Sequence, residues 1–579
     1  MKYVLCFWTL IVLQTNIFAR SQKVYYISNL GNNSNPGTLE LPFASITKAR
    51  DVVRTINKNM SGDIIIYLRS GTYELPSTFT LSSCDSGTNG YNIIYRAYRS
   101  EQPIISGGKR IRQWALYDSV MHIYKANVDT IENSRQLYVN GTRAVRARSK
   151  DASGWIENGD GYDCPENVMN WKDIAQVEVV SFKEWKCHRG HISFLHNRHV
   201  TMAQPYWRYI HFQYDAPPVW IENAFELLDS CSEWYLNRKK GELYYIPKKN
   251  EDLNNASIIL PRLETLISAN NISNVQFVGI TFSYATWLFP NSDHGFPCTQ
   301  ADLFDPWQIP TENRQMPANI SFKYSKNIRI ENCRFTHLGA TGLQFFTGCK
   351  NNKIVNNIFD DISGSAISIG NLKNINGVGE ENVIGNIIRN NYISHVAEEY
   401  KGCVGILVGY TTHTSITHNE IHHLPYSGIS VGWGYNSKIV AGIKNDISYN
   451  YIDSIMMELR DGGGIYTLSS QPGSHIHHNF INYQFNTSGS LYPDVGSSNM
   501  RWDYNVVMHT KKWIHLWHTS SENDTIENNY FDTKIQTLKG ANCIYKNNIF
   551  ISNRKWPKEV KSIIKESGRI HKKTCKLFY

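Results

Sequence analysis

The chain has 579 residues, 41% hydrophobic, 19% charged and 12% aromatic, and its 59 Lys and Arg against 50 Asp and Glu give a net charge of +9. This composition excludes a disordered, collagen-like or coiled-coil chain. So small a charge, with no dense basic stripe, argues against a nucleic-acid binder and allows at most a modest attraction to acidic polysaccharide.

Met1 and Lys2 precede an apolar run over residues 3–13, and Ala19 and Ser21 then offer a small-residue cleavage site. Residues 1–21 therefore read as a signal peptide, which predicts a secreted or periplasmic protein. The run is too short to span a membrane, and no later stretch approaches the ~20 apolar residues a span needs. Without Cys6, ten cysteines remain, scattered and with no C-x-x-C pair. They form no disulfide framework, though one or two bridges stay open.

Residues 22–109 read as a cap followed by the first coils of a solenoid. A strand at residues 25–29, a turn at Asn35-Pro-Gly-Thr38 and a helix over residues 42–54 form the cap. Strands around residues 64–68, 91–98 and 104–106 begin the coils. Residues 110–255 lose that pattern and read as an inserted β-sandwich of aromatic strands, among them residues 207–214 and 242–246. Residues 284–318 hold five prolines with little periodicity, so a long loop is expected there.

Residues 256–579 read as the main body, and from about residue 325 the sequence repeats itself. Ile354-Val-Asn-Asn357-Ile-Phe, Ile388-Arg-Asn-Asn391-Tyr-Ile, Ile416-Thr-His-Asn419-Glu-Ile and Ile447-Ser-Tyr-Asn450-Tyr-Ile share one pattern. Asn479, Asn505, Asn529 and Asn548 continue it, and Cys333 takes the Asn position in the earliest copy. Successive key positions lie 24, 34, 28, 31, 29, 26, 24 and 19 residues apart. Short strands at such a period predict a solenoid. An Asn tolerates the left-handed turn, and stacked amides can hydrogen-bond up the column. The expected fold is all-β: a right-handed parallel β-helix with an inserted β-sandwich domain.

Gly405-Ile-Leu-Val-Gly409, Gly428-Ile-Ser-Val-Gly432, Gly464-Ile-Tyr-Thr-Leu468 and Ser490-Leu-Tyr-Pro-Asp494 align as strands of one sheet, continued by residues 512–517. With a two-residue period Ile406, Ile429, Ile465 and Leu491 point inward. Ser430, Tyr466 and Tyr492, then His515, form an outward column, with Asp494 in the next. Arg460-Asp-Gly-Gly-Gly-Ile-Tyr466 puts Asp461 before a run of glycines that permit close approach and positive φ. Asp461 and Asp494, on adjacent coils, are candidate acids to flank a glycosidic bond, provided the turn after Asp461 folds back over the sheet. Trp433, Tyr466, Tyr492, His515, Trp517 and His518 are candidate sugar contacts, with flat apolar rings and hydrogen-bonding tips. Ordinary packing, a turn residue or a salt bridge is the structural alternative for each. His422-His423, His475-Ile-His-His478 and Cys187-His-Arg-Gly-His191 have metal-like spacing but no supporting context, so neither metal nor cofactor is expected. Glu398-Glu399 reads as a solvated loop.

Gln136-Leu-Tyr-Val-Asn-Gly-Thr-Arg-Ala-Val-Arg-Ala-Arg148 and residues 233–245 resemble the inserted sandwich of glycoside hydrolase family 141, and the Asp461 and Asp494 segments resemble its groove motifs. The resemblance covers nearly the whole mature chain. It implies an α-L-fucosidase, less often a xylanase, acting on plant cell-wall glycans such as complex pectin, with Asp461 and Asp494 as the two acids. Relatives commonly carry a further acid after the second Asp, where this chain has Val495. The readings carried forward are a retaining exo-glycosidase acting on an oligo- or polysaccharide as a monomer; a xylanase or xylosidase; a lyase using a base such as Arg460; and a non-catalytic glycan-binding protein.

Overall fold

The computed structural model describes residues 23–570 except 131, 212–215, 305–313, 373–378, 487 and 553–555. The expected signal peptide lies outside the described residues. The body is a right-handed parallel β-helix whose coils stack into three parallel sheets of 13, 12 and 11 strands. The first sheet runs from Lys23–Ile27 to Ile544–Lys546 and the second from Gly71–Glu74 to Ile549–Phe550. The third, from Phe79–Leu81 to Gln536–Leu538, is the groove sheet. Their inward residues form one continuous core. Phe335 stacks on Phe359 at 4.6 Å and Phe322 on Phe345 at 4.7 Å.

The asparagine column lies at the turn from first to second sheet. Each buried amide donates to the next Asn Oδ1 at 2.9–3.0 Å, from Asn357 through Asn391, Asn419, Asn450, Asn479, Asn505 and Asn529 to Asn548. Each Oδ1 also accepts a backbone N–H from the previous coil, as Asn450 does from Asn419. The ladder residues do not adopt the left-handed conformation. The preceding position does, with φ +60° at Asn356, +56° at His418, +54° at Tyr449 and +53° at His478. The bend falls on the half-buried neighbour, and the amide is left free to turn inward. These neighbours stack in turn, His418 on Tyr449 at 5.0 Å and Tyr449 on His478 at 4.9 Å.

The cap helix spans Ile46–Arg54, starting later than expected because the Ser45 side chain accepts the Lys48 N–H and Phe43 pairs with Ile27. Ile46, Ala49 and Val53 close the end of the core. Between Gly108 and Pro261 the strands form sheets of four, five and six, antiparallel except where Val145–Arg146 runs parallel to Glu233–Asn237. Of the strand expected at residues 207–214, residues 212–214 lie outside the described residues, and 207–210 belong instead to a short helix, Tyr206–Ile210, because Tyr206, Trp207 and Ile210 share a helical face and are buried together. Within residues 284–318, Cys298–Gln300, Leu303–Phe304 and Arg314–Gln315 pair into a small sheet, with Phe296, Cys298, Phe304 and Met316 buried against Trp287 and Tyr400. The helix Lys558–Glu566 covers Phe480, Val506 and Tyr530 on the second sheet. The nine described cysteines are all free, six of them buried.

Candidate active site

The groove sheet pairs in the expected register: Ser430 lies beside Tyr466, Tyr466 beside Tyr492, and Leu491 beside Ile514. Asp461 sits in the turn from the second sheet to the groove sheet, and Asp494 directly follows the strand Leu491–Pro493 one coil on. The turn at Asp461 does fold back. Its backbone is left-handed, φ +55°, its N–H donates to Ser488 Oγ at 3.0 Å, and its carbonyl accepts Tyr426 Oη at 2.8 Å. The three glycines serve close approach rather than positive φ, which none of them shows. A Cβ on Gly462 would lie 2.3 Å from Ser427 Oγ, and one on Gly463 2.4 Å from the Gly489 carbonyl.

Two tyrosines cross-link the acids. Tyr492, from the Asp494 coil, donates to Asp461 Oδ1 at 2.8 Å, and Tyr466, from the Asp461 coil, donates to Asp494 Oδ2 at 2.6 Å. The rings meet edge to face at 5.1 Å. Trp517 Nε1 completes the set, donating to Asp494 Oδ1 at 2.6 Å. Each acid therefore meets neutral donors, with no Arg or Lys bonded to either among the described residues.

Burial pushes the Asp461 carboxyl up to about 6, and the charge of Asp494 adds to it, against the pull of the Tyr492 hydrogen bond. Burial also raises Asp494, opposed by Tyr466, Trp517 and the charge of nearby His518. The charge of Asp494 thus acts on Asp461, the acid of the adjacent coil.

The other candidates divide. Tyr466 and Tyr492 are only 3% and 2% exposed, so they grip the acids instead of offering ring faces to a sugar. Trp433 is buried against Tyr435, at 5.6 Å. Trp517 is 39% exposed and offers the open ring face of the group. His518 packs on Trp517 at 5.1 Å and its Nδ1 accepts the Ser520 N–H at 3.0 Å. His515 packs on Tyr492 at 4.9 Å and meets Lys512 Nζ at 3.0 Å.

Sequence reasoning missed the supports. Tyr426 is held by Gln300 Nε2 at 2.8 Å, and the Arg460 N–H donates to the Glu184 carbonyl at 2.8 Å, so the inserted region buttresses the Asp461 turn. Gln300 belongs to the segment that also covers the fourth to sixth strands of the groove sheet. There Gln315 donates to Ser368 at 2.9 Å, and the outward residues Gln344, Ser368 and Leu407 are buried. Prolines and aromatics hinted at that cover without giving its position. Glu399 is no solvated loop residue: Arg135 Nε holds it at 2.7 Å. The three clusters with metal-like spacing make structural contacts, His422 facing Asp453 at 3.8 Å. His475 bonds Asp503 at 2.6 Å and His477 bonds Asp446 at 3.0 Å, while His188 and His191 lie buried in a sheet of the inserted region. Among the described residues no three His, Cys, Asp or Glu side chains converge as a metal-ligating group, and no helix is long and apolar enough to cross a membrane.

No family model matches the chain, and no curated protein matches it by sequence. Solved structures do. A protein described as "Glycoside hydrolase" is 25% identical, with a TM-score of 0.78, over 94% of this chain and 99% of that one. The structure titled "The complex structure of XylC with xylose" is 14% identical, with a TM-score of 0.50, over 88% of this chain and 76% of that one. The second likeness is one of fold.

Proposed function

We propose that this protein is a secreted glycoside hydrolase that removes a terminal sugar from a plant cell-wall glycan, with Asp461 as general acid and Asp494 as nucleophile. The observation that carries the proposal is the acid pair held by neutral donors alone, with Asp461 pushed to about 6. Neighbouring carboxyls whose surroundings differ can divide acid and nucleophile roles between them. The near full-length likeness to a glycoside hydrolase supports the activity.

In the first step the protonated Asp461 gives its proton to the glycosidic oxygen as the C–O bond breaks. The Asp494 carboxylate, positioned by the Tyr466 and Trp517 donors, bonds the anomeric carbon and gives up its charge as the ester forms. In the second step Asp461, now ionised, takes a proton from water. The resulting hydroxide attacks the same carbon and releases Asp494, so configuration is retained. The cover over the fourth to sixth strands of the groove sheet, on the cap side of the acids, favours release of a terminal sugar over cleavage within a chain. The α-L-fucosidase specificity and the pectic source rest on the family 141 resemblance.

The test is incubation with pectic and xylan oligosaccharides, with products identified and the first-formed anomer read by NMR. The expected result is a monosaccharide of retained configuration, fucose first among candidates. An unsaturated uronide would instead establish a lyase, and tight binding without turnover a non-catalytic glycan receptor.

A further inference from the structure

One coil beyond Asp494, the outward column of the groove sheet changes character. His515 follows Tyr492, with Thr537 next, so coils about 4.8 Å apart lead directly from the acid pair to His515. Lys512, in the turn entering that strand, folds back until Nζ lies 3.0 Å from His515 Nδ1. The approach depends on Gly489, where a Cβ would lie 2.5 Å from His515 Cβ. Lys539, exposed one coil further, also acts on the ring.

Among the described residues no carboxylate pairs with Lys512 or Lys539. This contrasts with Arg135, matched by Glu178, and Arg334, matched by Asp360. Burial lowers the Lys512 ammonium, while burial and the two lysines push His515 down to about 4. A neutral His515 accepts the ammonium proton at Nδ1 and keeps an N–H donor at Nε2. The result is a cation and a neutral donor side by side, without an internal anion, beside the site of cleavage.

We infer that Lys512, His515 and Lys539 form a subsite for an anionic sugar, a uronate or a sulfated residue, adjoining the bond flanked by Asp461 and Asp494. The inference rests on the glycosidase reading and names its substrate class. The anion would complete the charge-assisted contacts that the protein leaves open.

The test is calorimetric binding of trigalacturonate, its methyl ester and a sulfated galactotriose to the full chain, Lys512→Ala and Lys539→Ala, with turnover followed in parallel. At least one charged trisaccharide is expected to bind about tenfold or more tightly than the ester, with Lys512→Ala losing that preference and Lys539→Ala part of it. Which charged sugar binds separates carboxylate from sulfate recognition. Equal binding of ester and acid, an unchanged Lys512→Ala, or no binding of either charged sugar overturns the subsite. Lys512→Arg, which keeps the charge, controls for misfolding and should recover most of the affinity. A charged sugar that binds but is never cleaved by the full chain contradicts the hydrolase reading and keeps the subsite. Cleavage of neutral and charged glycans at equal rates by the full chain and Lys512→Ala does the reverse.

Discussion

Two groups of half-hidden or hidden carboxylates lie in this molecule, and their surroundings are opposite. At the junction with the inserted region, Arg135 grips Glu178 at 2.7 and 2.9 Å and Glu399 at 2.7 Å, and Arg146 and Arg189 hold Glu222 at 2.5 and 2.6 Å. In the groove, the side-chain hydrogen bonds to the Asp461 and Asp494 carboxyls come from tyrosine and tryptophan among the described residues. Burial acts on both groups alike, and the outcome depends on the partner. The arginines overcome it and hold Glu399 at about 2, whereas Asp461 rises to about 6. A carboxylate matched by a cation is fixed in one charge state and serves as a fastener. One left with neutral donors can exchange a proton near neutral pH and serve as a reagent.

The contrast is broken most strongly at the acids themselves. Asp494→Asn and Asp461→Asn should each lower kcat/KM by roughly 10³-fold, the scale of a lost acid or nucleophile. Their melting temperature should hold or rise, because a neutral amide removes an unmatched buried charge. Glu399→Gln should show the reverse: a loss of about 3–5 kcal/mol in unfolding free energy, read by denaturant titration, because the cations remain buried. The pH dependence carries the same opposition. Glu399, lowered on folding, contributes stability present above about 4.3 and lost as pH falls through about 2. Asp461, raised on folding, gives stability that declines as pH climbs from about 4 to about 6.

Away from both groups, Asn450→Ala orphans the Asn419 N–H and the Ile416 carbonyl and should cost about 1–3 kcal/mol without changing the pH optimum. The smallest effect sharpens the comparison. Tyr492→Phe removes the donor that favours ionised Asp461, so the alkaline limb of the rate profile should move up, by about half a pH unit to one unit.

Much of this was legible in the residues. The coil was written in the Asn repeat, because each turn must satisfy the same buried groups. Asp461 and Asp494 stood out because a glycine run and a strand end mark places where backbone and ligand can meet. What was hidden depends on long-range contact. Nothing near Tyr466 or Tyr492 reveals that their hydroxyls cross to the acid of the neighbouring coil, and alternation made them resemble sugar platforms. Glu399 looked solvated because its partner Arg135 lies 264 positions away. The helix at Tyr206–Ile210 was mistaken for a strand because a short aromatic run fits either period until its burial is known.

The division of labour between the acids can be read from azide rescue, using the aryl glycoside of the released sugar with Asp461→Ala and Asp494→Ala. Azide should restore turnover in both, yielding a glycosyl azide of retained configuration from Asp461→Ala and of inverted configuration from Asp494→Ala. Swapped configurations would reverse the two roles, and full activity in either variant without azide would remove that aspartate from the reaction.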